Sequence, residues 1–515
     1  MKRPSLVATG SLNRMLQAAE TEWQRKHFQE CIEMLERASR LAPSNTGILL
    51  RLGRFQGLRY NFAAAERCFE QALRLAPRKT EMLTAIADHC QNFSNAAIAE
   101  CYLRRTLEMP DLTPQACIKL AELYERHRRL PEAAQLVERA LALNPGFPAA
   151  LLVHARAERL AGRWEAAEQV LRSFITKPIP DPWIHAQAWY ELATILDRRE
   201  KFDDAMTAFL NAKNLLRPQT PGPPAEMLAV RARLKVMQSH VSSEMFQRWF
   251  DAGPELLPTR RLALLCGHPR SGTTLLEQVL DSHPDIVSAE ETDVFLDDAF
   301  SALKRRLPPD AYMLTVLEAA DAPALQQARA DYFRTMELYL GRPIANRLLL
   351  DKNPSRTFMI PAFLRIFPEI KLLIALRDPR DVVLSCFMQP QPFDPFTESN
   401  LSLEATIDSY AFTMGLWRTF APLLAGRYLE VRYEDMVEDL ESVTRKTLGF
   451  LGVPWNPCVL RFDEHARKKI VRSPTYADVT QPVYKRAVGR WRNYQKYLEP
   501  HLETLAPFAK AFGYE

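Results

Sequence analysis

Small residues recur along the first part of the chain with a fixed period of 34. Ala19, Gly53, Ala87, Ala121 and Ala155 follow one another at that spacing. Further small residues come twelve and then nineteen positions after them: Cys31, Ala65, Ala99, Ala133 and Ala167, then Ala38, Ala72, Thr106 and Ala140, with Phe174 as the exception. Such a period predicts pairs of antiparallel helices, because two helices approach closely only where their contact positions are small.

This pattern resembles the tetratricopeptide repeat. A sixth unit, with Ala193, Ala205 and Ala212, keeps the internal spacing after a slip of four residues. The resemblance implies about six helical hairpins over residues 1–218, each burying its apolar face on the next. A generic helical bundle with coincidental alanines is the poorer explanation of five hits at one period. The repeats predict a surface for a protein partner or for self-association, without identifying what is bound.

A Pro-rich stretch ends the repeats. Residues 217–224 read RPQTPGPP, which cannot continue a helix because proline lacks a backbone N–H. We therefore predict a Pro-rich linker and a connector helix over residues 219–258, and a second domain over residues 259–515.

Composition restricts the class of protein. A net charge of +5, from 67 basic and 62 acidic residues, is too mild to indicate nucleic-acid binding. The eight cysteines form no CxxC pair, so a zinc site is not indicated and a reducing compartment fits. Because there is neither an apolar signal-peptide core nor a run of 18 apolar residues, we expect a cytoplasmic protein without a transmembrane segment.

From residue 260 on, short aliphatic runs alternate with helical periodicity. The runs are residues 262–266, 347–350, 371–376 and 428–431. Continuous aliphatic runs between helices predict a buried parallel sheet, and ligands bind at the carboxyl ends of such strands. Polar residues follow every run, so we expect the functional side chains at that edge.

The segment after the first run, residues 267–275, reads GHPRSGTTL. A strand, a tight loop and a helix are typical of a phosphate-binding loop, whose backbone N–H groups hold an anion. Thr273 stands where an ATP-binding loop has lysine. A nucleotide kinase or ATPase is therefore disfavoured.

Together with Arg377 and Ser385, this loop resembles the two nucleotide-binding motifs of sulfotransferases. The stretch LDSHPD at 280–285, the triplet EET at 290–292 and Lys352 extend the resemblance to the tyrosylprotein sulfotransferases. The resemblance covers about residues 260–495 and implies an α/β P-loop-like domain with a central parallel sheet. It implies the donor 3′-phosphoadenosine-5′-phosphosulfate, the product 3′-phosphoadenosine-5′-phosphate, a hydroxyl acceptor and no metal.

The resemblance also implies residue roles. Glu291 is the expected base, with Glu290 as its rival, and Arg270, Lys352 and Ser473 are expected at the reaction centre. The expected donor ligands are Arg270, Ser271, Gly272, Thr273, Thr274, Leu275, Arg377, Ser385, Tyr433 and Arg490. Sulfuryl transfer is a close relative of phosphoryl transfer, so positioning and electrostatics carry the catalysis. Burial would strengthen a carboxylate such as that of Glu291 as a base.

The chain departs from the family pattern on the acceptor side. Asp293 stands where the family has an arginine that attracts acidic peptides, Asp297 and Asp298 follow, and Gln389 replaces another family arginine. The acceptor stays open between a protein or peptide tyrosine and a small-molecule, sugar or lipid hydroxyl. A repeat scaffold with an inactive sulfotransferase-like domain is the alternative from another class. The Pro- and aromatic-rich segment 389–396 is a candidate lid or acceptor wall.

Overall fold

The computed structural model describes residues 6–514, except for residues 94, 218–224, 306, 309, 391–399 and 469–478. The chain forms two compact units, Met1–Gly162 with Arg334–Arg342, and Arg163–Phe333 with Pro343–Glu515. The predicted Pro-rich linker falls largely outside the described residues, and the predicted domain boundaries stay predictions. The last part of the repeat region, from residue 163 on, belongs to the second unit.

Helices separated by short turns fill the described repeat region. They are α1 (Leu6–Gln24), α2 (Phe28–Leu41), α3 (Thr46–Leu58), α4 (Phe62–Leu75), α5 (Lys79–Gln91), α6 (Ala96–Leu107), α7 (Pro114–Arg126), α8 (Leu130–Leu143), α9 (Pro148–Leu160), α10 (Trp164–Ile175), α11 (Pro182–Arg198) and α12 (Phe202–Leu216). In the first unit α1 packs on α2, α3 on α4, α5 on α6 and α7 on α8, and in the second unit α11 packs on α10 and α12. The predicted helical repeats are confirmed.

The small residues of the period lie in the helix contacts. Ala87, Ala121 and Ala155 are fully buried. A Cβ on Gly53 would come within 2.5 Å of the Phe69 ring, so this contact requires glycine. The exceptional large residue, Phe174, is buried as well. Close helix approach, rather than helix propensity, therefore explains the 34-residue period.

Within the described part of the second unit, five strands form one parallel sheet. They are β1 (Leu262–Gly267), β2 (Ile286–Glu290), β3 (Leu348–Lys352), β4 (Lys371–Leu376) and β5 (Tyr428–Arg432), in the order β2-β3-β1-β4-β5. Four of them correspond to the predicted aliphatic runs, and the fifth, β2, ends directly before Glu291. Lys352 lies opposite both Glu290 and Leu265 in the register. The carboxyl ends of β2, β3 and β1 therefore meet at one edge.

Helices surround this sheet and connect its strands. They are α13 (Ala225–His240), α14 (Ser243–Asp251), α15 (Thr273–Asp281), α16 (Ser301–Lys304), α17 (Met313–Ala319), α18 (Ala322–Leu340), α19 (Ile360–Ile366), α20 (Pro379–Phe387), α21 (Leu403–Phe420), α22 (Tyr433–Glu438), α23 (Leu440–Leu451), α24 (Phe462–Lys468), α25 (Gln495–Leu498) and α26 (Leu502–Ala511). The predicted connector is two helices, since Ser242 caps the start of α14. Of the helices in the described ranges, none is long and apolar enough to cross a bilayer.

Candidate functional site

The loop after β1 requires glycine at two positions. Gly267 has a φ of +138° and Gly272 a φ of +90°, values that other residues rarely adopt. A Cβ on Gly267 would overlap the Ala375 carbonyl oxygen, and one on Gly272 would come within 2.7 Å of the Tyr433 ring. The loop is therefore packed tightly between β4 and the start of α22.

The helix that follows the loop, α15, begins without a side-chain cap in the described structure, because Gly272 is its N-cap residue. Ser271, Thr273 and Thr274 are buried around this helix start, and Leu275 packs partly buried against the core of the unit. The first N–H groups of a helix have no partner within the helix. An uncapped helix start after a tight loop is suited to bind an anion.

His268, inside the loop, adds no positive charge to it. Its ring is buried, its Nδ1 lies 2.9 Å from the Pro269 carbonyl oxygen, and burial lowers the pKa of His268 to about 4. The imidazole is therefore neutral at physiological pH. Arg270 is the cationic residue of the loop, and its backbone has a φ of +72°.

Four of the predicted donor ligands form one series of contacts. The Arg270 Nε donates to the Ser385 hydroxyl at 3.0 Å, and the Arg377 Nη1 donates to the Arg270 carbonyl oxygen at 3.2 Å. The Arg377 guanidinium also lies over the Tyr433 ring, 4.9 Å from its centroid. Its Nε is buried without a hydrogen-bond partner among the described residues. A buried guanidinium N–H without a protein partner is suited to bind an oxyanion.

Lys352, the last residue of β3, is held between two carboxylates. Its Nζ lies 2.6 Å from Oε1 of Glu291 and 3.4 Å from Oε2 of Glu277. The side chains of Lys352 and Glu277 are fully buried. Burial by itself would lower the pKa of Lys352, but the carboxylates of Glu277 and Glu291 outweigh it and raise that pKa. The ammonium therefore stays charged at neutral pH.

Glu291 occupies the turn directly after β2. Its φ is +41°, and its N–H donates to the Lys352 carbonyl oxygen at 2.7 Å. The side chain is 46% exposed, so Glu291 is accessible from the open edge of the sheet. The turn carries the chain off the end of the strand, which leaves the carboxylate beside the ammonium at the open edge of the sheet. The rival residue, Glu290, is still part of β2 and is buried.

Glu277, which was not predicted from the sequence, is the buried support of Lys352. Glu277 accepts a hydrogen bond from the Ser288 hydroxyl at 2.5 Å, which links α15 to β2. Residues four apart share a helix face, and Glu277 follows Thr273 of the loop at that spacing. This spacing was the available signal that Glu277 faces the site.

Arg490 binds a carboxylate of the last repeat helices. Its Nη2 lies 2.8 Å from Oδ1 of Asp197 in α11. Its predicted role toward the donor stays a prediction. Ser473, predicted at the reaction centre, lies outside the described residues, as do residues 391–396 of the candidate lid.

The acidic residue that departs from the family pattern is paired. Asp293 is 62% exposed, and its carboxylate contacts the guanidinium of Arg356, which belongs to the 3₁₀ turn Pro354–Met359. An adjacent cation offsets the repulsion that Asp293 alone would exert on an acidic molecule.

Comparison with known proteins agrees with this geometry. Residues 263–457 match the model of the sulfotransferase family, and residues 118–182 match a tetratricopeptide repeat model. The protein-tyrosine sulfotransferase of Drosophila melanogaster is 27% identical over 271 residues, which are 49% of this chain and 52% of that protein. Protein-tyrosine sulfotransferase 1 of Danio rerio is 28% identical over 264 residues, which are 49% of this chain and 72% of that protein.

A longer match includes part of the repeat region. An uncharacterised protein of Aquifex aeolicus (strain VF5) is 25% identical over 395 residues, which are 73% of this chain and 48% of that protein. The chain therefore spans about half the length of the Aquifex and Drosophila relatives. In this chain, a segment that matches the sulfotransferase family model follows a segment that matches a tetratricopeptide repeat model.

Proposed function

We propose that this protein transfers a sulfuryl group from 3′-phosphoadenosine-5′-phosphosulfate to a hydroxyl group of an acceptor. The contact of Lys352 with Glu291 beside the phosphate-binding loop is the observation that carries this proposal. Lys352 lies opposite Leu265 in the pairing of β3 with β1, two residues before Gly267 opens the loop. A carboxylate, an ammonium and an anion-binding loop thus share one edge of the sheet.

The residues of the loop and of α20 fit this donor. The uncapped start of α15 suits the 5′-phosphosulfate, because the first N–H groups of a helix are suited to bind an anion. Arg377 and Ser385 suit the 3′-phosphate, since the buried Arg377 Nε has no hydrogen-bond partner in the described part of the chain. When bound, the donor supplies the sulfuryl group and a 5′-phosphate leaving group.

The charged side chains have distinct tasks in this mechanism. Glu291 accepts the proton of the acceptor hydroxyl, and its partly exposed position leaves it accessible to an acceptor. Lys352 and Arg270 offset the negative charge that develops on the leaving oxygen. One preorganised donor of this kind is typically worth about 3 kcal/mol of the activation barrier. Because Glu277 also contacts Lys352, the ammonium keeps a partner when Glu291 turns to the acceptor.

A tyrosine of a protein or peptide is the acceptor that we propose first. Relatives named protein-tyrosine sulfotransferase support this choice, and so does the Arg356 cation beside Asp293. The repeats would recruit such an acceptor or mediate self-association. Small-molecule, sugar and lipid hydroxyls are the alternatives, since they require the same base and the same donor site.

Glu291→Gln tests the proposal. We expect this variant to lose transfer of radiolabelled sulfate from the donor to a tyrosine peptide or a phenol, by about a hundredfold or more, because the base is gone. Its affinity for 3′-phosphoadenosine-5′-phosphate, measured by calorimetry, is expected to stay unchanged.

Glu290→Gln is the matched control, because it removes the neighbouring carboxylate and leaves Glu291 in place. Wild-type activity in Glu291→Gln, or transfer of phosphate from ATP by the wild type, would contradict the assignment. Donor binding without transfer to any of the four acceptor classes would favour the inactive scaffold.

A further inference from the structure

Asp197, near the end of α11, holds the C-terminal segment of the same unit. Its Oδ1 accepts hydrogen bonds from the Arg490 Nε at 3.3 Å and from the Tyr494 hydroxyl at 2.6 Å, and the Arg490 Nη2 lies 2.8 Å from it in an ion pair. Asp197 is 13% exposed and Tyr494 is fully buried. The Tyr494 ring packs edge-on against Phe202 at the start of α12, with 5.5 Å between the centroids. A charged hydrogen bond and a packed ring thus fix the 3₁₀ turn Arg490–Tyr494 on the last repeat helices.

The beginning of that turn holds a buried carboxylate of α20. The N–H groups of Gly489 and Trp491 each donate to Asp381 at 2.8 Å. Burial raises the pKa of Asp381, whereas Arg377 and the two N–H groups favour its charged form. The position of the turn therefore determines whether the Asp381 carboxylate keeps these two hydrogen bonds.

Asp381 lies directly beside the donor ligands. Its Oδ2 is 3.8 Å from the Arg377 Nη2, and Arg377 also donates to the carbonyl oxygen of Ala487, two residues before Gly489. Hydrogen bonds and ion pairs therefore lead from Asp197 through the turn to the guanidinium that is proposed to hold the 3′-phosphate.

The last repeat helices also contact α20 directly. The ammonium of Lys213, in α12, lies 5.0 Å from the centroid of the Phe387 ring in the last turn of α20. Lys213 is 2% exposed, so this contact is part of the core. Since α20 also carries Asp381, the helix pair supports α20 directly at its last turn and, through the 3₁₀ turn, near its start.

We propose that the helix pair α11–α12 is a structural part of the donor site and that Asp197 is a positioning residue for its 3′-phosphate end. This inference rests on the proposed function and assigns a task to one part of the repeats. Asp197 does not touch the donor, but it fixes the turn that orients Asp381 and Arg377. The affinity for the donor thereby depends on the repeat region.

Asp197→Asn in the full chain tests this inference, because asparagine keeps the size of the side chain and removes the charge that binds Arg490. We expect the affinity for 3′-phosphoadenosine-5′-phosphate to fall about tenfold in calorimetry, a common size of coupling between distant groups. We also expect faster hydrogen exchange in residues 489–491, a higher KM for the donor and an unchanged kcat at saturating donor. A general loss of folding would not separate KM from kcat in this way.

Asp203→Asn is the matched control. Asp203 lies on the same helix pair and contacts Lys496 and Tyr497, but these bonds are exposed, so we expect no change in affinity or exchange. If Asp197→Asn does not fold, Tyr494→Phe removes only the hydroxyl bonded to Asp197 and is expected to weaken binding about threefold.

The outcomes separate this inference from the proposed function. Wild-type affinity and wild-type exchange in both Asp197→Asn and Tyr494→Phe would overturn the inference alone. Failure of the wild type to bind 3′-phosphoadenosine-5′-phosphate would overturn the proposed function and the inference with it.

Discussion

Replacement of the buried Lys213 by methionine is expected to stabilise the protein at neutral pH and to weaken the dependence of its stability on pH. The Lys213 ammonium faces the rings of Tyr190 and Phe387, 5.4 and 5.0 Å from their centroids. No carboxylate pairs with it among the residues that the structure describes. Burial lowers the pKa of Lys213 from 10.5 to about 7, although the Cys386 thiol opposes the shift. The charged form of Lys213 therefore destabilises the folded protein.

The sign and size of the effect follow from proton linkage. Between about pH 7 and 10.5 the unfolded chain keeps the proton on Lys213 while the folded chain releases it, so stability rises with pH across this window. The full cost applies at and below pH 7. At about 1.4 kcal/mol per pH unit, it is roughly 5 kcal/mol. Methionine removes this cost and loses cation–π contacts worth about 1 kcal/mol, which leaves a net gain of about 3–4 kcal/mol.

Urea unfolding of the wild type and of Lys213→Met, followed by circular dichroism near pH 7, 8 and 9, measures this effect. Because all other groups titrate in both proteins, the difference between their free energies of unfolding gives the contribution of Lys213 alone. The advantage of the variant is expected to shrink by about 1.4 kcal/mol per pH unit. A difference that is constant with pH, or a variant that is less stable at pH 7, would refute the reasoning.

Two further predictions concern packing and charge. Gly53→Ala is expected to lower the free energy of unfolding by about 1–3 kcal/mol, because its Cβ would come within 2.5 Å of the Phe69 ring. In contrast, a Cβ at Gly449 in α23 meets nothing within 4 Å, so Gly449→Ala is expected to raise the free energy of unfolding by about 0.5–1 kcal/mol. Equal shifts of the two variants in thermal unfolding would contradict this. Glu277→Gln is expected to cost about 3 kcal/mol, since it removes a buried charge beside Lys352, and Glu291→Gln less than about 1 kcal/mol, since that side chain is 46% exposed. The opposite order in urea unfolding would contradict the buried role of Glu277.

The features that the sequence predicted are those set by local spacing. The period of 34 could be predicted because a large residue at a position such as Ala87 would separate two helices. The strands could be predicted because buried parallel strands are continuously apolar. The position of Lys352 could be predicted with them, because it comes after one of these apolar runs. The pairing of Arg490 with Asp197 joins residues 293 positions apart and leaves no periodic signal. The exposure of Glu291 depends on the φ angle of a single turn residue, which no pattern of residue types specifies.

The two ends of the candidate site are built in different ways, and this difference determines what the repeats can influence. At the proposed reaction centre, backbone hydrogen bonds between neighbouring strands hold Glu290, Lys352 and Leu265 in one row of the sheet. At the end proposed to hold the 3′-phosphate, Arg377 depends on side chains and a turn that come from separate parts of the chain, with Asp197 as the outermost of them. A partner that displaced α11 would therefore alter donor binding without moving Lys352. Because only interactions that strengthen in the transition state change kcat, the effect of the repeats is expected in the KM for the donor.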